Sequence, residues 1–115
     1  MIDWSYVKQL ETDVGAEEFR NIVALFLDEV DSEIELLRNS ITGAGMLESK
    51  MHFLKGSAAY LGFREFAGLC AQNEVLAAGG RAEEVDLSHL ISVYDQSRSF
   101  FLVEAPKHCS FGAAA

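Results

Sequence analysis

Of the three histidines in this 115-residue chain, His52, His89 and His108, one has neighbours that suggest chemistry. Positions at −4, +3, +4 and +7 share a helical face with residue 52, and they hold Glu48, Lys55, Gly56 and Ala59. Glycine inside a helix costs about 1 kcal/mol relative to alanine, so Gly56 needs a reason, either tight packing or close approach from outside. Beside an outward-facing imidazole, close approach is the expectation. Lys55 places an ammonium one turn from the ring, which favours an anionic group there over a metal cation. A neutral imidazole is nucleophilic near pH 7, and phosphorylation of a ring nitrogen gives a reactive phosphoramidate that can pass its phosphoryl group to a carboxylate. Such transfer needs positioning and charge neutralisation more than a pocket of acids and bases. A bare helix face suffices when a partner brings the carboxylate and a metal ion. His89, next to the apolar pair Leu90 and Ile91, and His108, near the C-terminus, read as surface side chains.

The elements that must position His52 are all helical, because the apolar residues recur at spacings of three and four and no stretch alternates with period two. Five helices are predicted, over about residues 3–13, 16–41, 44–61, 64–78 and 83–104, with residues 105–115 as a frayed tail after Pro106. Asp3 is a plausible N-cap, and Gly62 suits the position just past the third helix. At about 100° per residue, Met51, Leu54, Ala58 and Leu61 fall within roughly 40° of Leu47, and His52 falls near 140°. It points away from the core. The fold expected is an all-α, antiparallel four-helix bundle (up-down-up-down) with a short N-terminal helix laid across one end.

The run His52-Phe53-Leu54-Lys55-Gly56-Ser57-Ala58-Ala59-Tyr60-Leu61-Gly62 closely resembles the signature of histidine-containing phosphotransfer (HPt) domains, H-x-L-K-G-S-[SA]-x-x-[LF]-G. The likeness continues through Phe66, Leu69 and Cys70, and upstream through Leu10 to Gly15 and Phe26 to Glu29, covering most of residues 3–104. It implies the four-helix bundle that periodicity suggested independently. It also implies His52 as phosphoacceptor, Lys55 as the phosphate-neutralising cation and Gly56 as the opening through which a receiver domain approaches. Family members often orient the imidazole through a polar residue on the next helix, a position that Glu74 matches. Ala59, Phe63 and Arg64 would contact the partner, and Ser57, on another side of the helix, would pack beside the bundle. Partners would be response-regulator receiver domains and a hybrid histidine kinase, with the acceptor aspartate and Mg²⁺ on the receiver and no cofactor bound by this chain.

Composition narrows the alternatives. With 9 basic against 18 acidic residues the formal charge is −9, which repels nucleic acid and anionic membranes. Residues 1–48 carry 3 basic and 11 acidic side chains, whereas residues 49–81 carry 4 and 2, so only the segment around His52 is positive. Two cysteines make no disulfide framework, and the opening Met1-Ile2-Asp3-Trp4 lacks the features of a signal peptide, so a cytoplasmic protein is expected, and a monomer because the four apolar stripes of a bundle can satisfy one another. Metal binding is disfavoured because no C-x-x-C, H-x-x-x-H or E-x-x-H spacing occurs, and Cys70 lies on an apolar stripe. No nucleotide-binding motif is present, so phosphorylation from ATP is not expected. The alternative function is a bundle that docks receivers without accepting phosphate.

Overall fold

The computed structural model describes residues 2–39 and 44–111, and all regular structure among them is helical. The elements are α1 (Trp4–Val14), α2 (Ala16–Asn39), α3 (Ala44–Leu61), α4 (Arg64–Ala78), a 3-10 turn (Ala82–Glu84) and α5 (Leu87–His108). The expected end of the second helix at Ile41 lies outside the described residues. No helix among the described residues is long and apolar enough to cross a membrane.

Local chemistry accounts for the helix ends that matter to the site. Asp3 caps α1, its carboxylate accepting from the Tyr6 backbone N–H at 3.2 Å. At the end of α3 the Phe63 N–H donates to the Ala58 carbonyl at 2.9 Å and the Gly62 N–H to the Ala59 carbonyl at 3.2 Å, the paired bonds of a Schellman cap. That cap requires a left-handed residue, and Gly62 has φ +82°. A β-carbon there would also lie 3.2 Å from Val7 and 3.3 Å from the Asp3 carbonyl and the Tyr6 ring. Glycine thus both ends the helix and lets α1 lie against it, where the Asp3 N–H donates to the Gly62 carbonyl at 2.9 Å.

Packing runs around the molecule: α2 against α3, α3 against α4, α4 against α5, and α5 against α2, with α1 on α2. The centre is aromatic, with Phe63 between Phe26 (5.0 Å between centroids) and Phe101 (5.4 Å), and Phe66 tilted on Tyr94 (5.0 Å). Polar clamps fix how α2 meets α5. Asp31 accepts from the Tyr94 hydroxyl at 2.6 Å and from two Arg98 nitrogens, while Arg38 donates to both oxygens of Asp95. On the other flank Lys50 of α3 pairs with Glu33 of α2 at 2.8 Å.

The last helix differs from its expected bounds at both ends. It begins at Leu87, because Asp86 caps it by accepting from the His89 N–H at 3.0 Å, and Ala82–Glu84 forms a separate 3-10 turn. It also continues through Pro106 to His108. A proline this close to the end forfeits one backbone bond, and a backbone cap together with two tertiary contacts holds the last turn. The His108 ring stacks on Trp4 at 4.3 Å, the Cys109 N–H bonds the Ala105 carbonyl at 2.8 Å, and the Ser110 N–H donates to Glu11 at 2.7 Å. What the sequence presents as a frayed tail is, as far as Phe111, a strap across α1.

Candidate functional site

The two sides of α3 have opposite environments. Met51, Leu54, Ala58 and Leu61 are fully buried, whereas the His52 side chain on the opposite side is 72% exposed. Each core residue therefore anchors the helix that carries the imidazole, and the imidazole contributes nothing to the core. Gly56 and Ala59 are exposed on the same outward surface, and Lys55 is half-buried.

α4 supplies the group that orients the ring. Glu74 Oε2 lies 2.8 Å from His52 Nδ1, and its other oxygen, Oε1, lies 2.6 Å from Lys55 Nζ. Lys55 first, and His52 second, hold the Glu74 carboxyl below the usual carboxylate range against the opposing effect of burial. A carboxylate is acceptor-only, so the hydrogen in the contact with His52 is assigned to Nδ1. The lone pair then belongs to Nε2, on the most exposed side chain of the three. A nucleophilic nitrogen with a fixed tautomer, next to a cation and open to a partner, is suited to accept a phosphoryl group.

The structure separates the two reasons a glycine could occupy position 56. A β-carbon built there meets nothing within 4 Å, so packing within the chain does not call for it. Arg64 is exposed at the first turn of α4 and pairs with Asp3, the N-cap of α1. Ser57 is half-buried and faces α2, away from His52.

Phe63 is a correction. Expected at the partner surface, it is fully buried, because the turn at Gly62 sends its side chain between Phe26 and Phe101. It anchors the end of α3 from inside. Cys70 follows its stripe into the core, where burial pushes the thiol up to about 12.

Sequence reasoning did not place α2 at this surface. Ile22, Leu25, Phe26 and Glu29 form a cleft of about 380 Å³ with Gly56, Ser57 and Tyr60 of α3. A signal existed, since Leu25 lies off the buried stripe of α2 and is 58% exposed. The pairing of Lys55 with Glu74 was also missed, because nothing within α3 alone reveals it.

Comparison with protein-family models matches residues 21–100 to the Hpt domain, while neither the curated proteins nor the solved structures give a match. The matched segment takes in all of α3 and α4, including His52, Lys55 and Glu74, and starts after α1. Because it spans more than half of the chain, the protein belongs to the Hpt domain family, the phosphocarriers that meet receiver domains and kinases in phosphorelays.

Proposed function

We propose that this chain accepts a phosphoryl group on His52 from the aspartyl phosphate of one receiver domain and passes it to the aspartate of another. The Nε2 lone pair attacks phosphorus, the Nε2–P bond forms, and the P–O bond to the aspartate breaks with its electron pair leaving on the carboxylate. Nδ1 keeps its proton, held by Glu74. Lys55 offsets negative charge around the transferred group, and Gly56 with Ala59 leaves room for the incoming domain. The receiver brings the acceptor aspartate and Mg²⁺, and a hybrid histidine kinase supplies the phosphoryl group upstream. The chain is a single-domain monomer, an antiparallel up-down-up-down four-helix bundle. The pairings of Arg38 with Asp95, Asp31 with Arg98 and Lys50 with Glu33 support that arrangement.

The observation that carries this reading is the 2.8 Å contact from Glu74 to Nδ1 of an imidazole that is otherwise exposed. Its test is transfer of labelled phosphate from several phosphorylated receivers to wild type and His52→Gln. An acid-labile, base-stable label on wild type alone is expected. Failure of every receiver to label folded wild type, with receiver binding retained, would instead support a docking module.

A further inference from the structure

One carboxylate serves two partners at this site. Glu74 accepts a hydrogen bond from Nδ1–H of His52 through Oε2 at 2.8 Å and from the ammonium of Lys55 through Oε1 at 2.6 Å. Both contacts bear on what happens after Nε2 has been phosphorylated, and they act in the same direction.

The first concerns the leaving group. When phosphohistidine gives up its phosphoryl group, an acceptor oxygen attacks phosphorus and the Nε2–P bond breaks, its electron pair returning to Nε2. If Nδ1 still carries its proton, the departing ring is neutral imidazole; if not, it is an imidazolide anion, a far poorer leaving group. A carboxylate beside Nδ1 favours the protonated ring through a charge-assisted hydrogen bond. With water as acceptor, the products are inorganic phosphate, which keeps the protons of the water, and neutral His52.

The second concerns Lys55. Its ammonium is the cation one turn from the ring, and Glu74 competes with the phosphoryl oxygens for it. Opposite charges at hydrogen-bond distance attract strongly enough to hold a flexible lysine in one position for much of the time. Whatever share of Lys55 the carboxylate retains is lost to the phosphoryl group.

We propose that Glu74 shortens the life of the phosphohistidine, making His52 a point of rapid hand-over and not of storage. It does so by keeping Nδ1 protonated and by holding Lys55 back from the phosphoryl oxygens. Glu74 touches no reacting atom and acts through its two neighbours, so it is a positioning residue. The inference rests on His52 being the phosphoacceptor.

The test is a double-mutant cycle on phosphohistidine lifetime. Wild type, Glu74→Gln, Lys55→Met and the double variant are loaded from a phosphorylated receiver and freed of it, and the decay of the acid-labile label is followed. Glutamine keeps an oxygen that accepts from Nδ1–H and so preserves ring orientation, but it carries no charge for Lys55. Glu74→Gln is expected to lengthen the half-life by up to about fivefold, the range for redirecting one charge at a partly exposed site. Lys55→Met is expected to shorten the half-life more in the Glu74→Gln background than in the native one, because there the lysine is free to serve the phosphoryl group. A purely structural role for Glu74 would not produce this coupling. Equal half-lives for wild type and Glu74→Gln, or an equal effect of Lys55→Met in both backgrounds, would overturn the proposal. Absence of any acid-labile label on wild type would overturn the carrier reading and this inference with it.

Discussion

The middle of α3 and its C-terminal end are held by opposite means. At the middle, His52, Lys55 and Glu74 form a small polar group on an open surface, beside exposed Gly56 and Ala59. At the end, Gly62 is covered by Val7 and Tyr6 of α1, and Phe63 is enclosed by Phe26 and Phe101. α1 is itself strapped down by Trp4 against His108 and Glu11 against Ser110. The His52 side chain is thus free of structural duty, while rigidity is concentrated one to three turns away. A site used by approaching partners needs an open face, and an open face cannot hold itself in place by packing. The two regions should therefore respond differently to substitution, transfer failing at the first and stability at the second.

The largest effect is expected at His52. His52→Gln should abolish labelling and leave the thermal midpoint almost unchanged, since the side chain is mostly exposed and exposed substitutions usually matter little to stability. A large fall in the midpoint would break the separation between the two regions. Phe63→Ala should do the reverse, costing about 3–5 kcal/mol in urea unfolding because a fully buried ring is removed. Label uptake by the remaining folded protein should persist.

Gly56→Ala sharpens the contrast. Its β-carbon has open space, so the isolated protein should gain up to about 1 kcal/mol from helix propensity, yet transfer should slow several-fold as the added methyl meets the partner. Unchanged transfer would remove partner approach as the reason for this glycine. The smallest effect is expected at Glu11, buried at the strap. Burial pushes its carboxyl up, but the Lys8 hydrogen bond and the Ser110 contacts outweigh burial and hold it below the usual range. A carboxyl depressed in the folded state adds stability above its unfolded pKa of about 4.3 and loses it as pH falls through the folded value. The urea midpoint should decline below about pH 4.3, and less steeply in Glu11→Gln.

Much of this was legible in the sequence, and what was missed has physical causes. The buried stripe of α3 and the outward phase of His52 follow from helical periodicity alone, and Glu74 was placed through the resemblance to HPt domains. Phe63 was misjudged because residues after a helix-ending glycine leave the helical phase, so counting 100° per residue no longer says where they point. The continuation of α5 past Pro106 was hidden because it depends on Trp4 and Glu11, about a hundred positions away. The Lys55–Glu74 pair and the cleft shared by Leu25 and Tyr60 likewise arise between helices. Periodicity says which face of a helix is buried and not which neighbour lies beside the exposed one.

The most direct measurement of the central claim is one-bond ¹⁵N–³¹P coupling in histidine-labelled protein phosphorylated by a receiver domain. Coupling on Nε2 of His52, with Nδ1 still protonated, is the expected result. Coupling on Nδ1 of His52, or on His89 or His108, would contradict it.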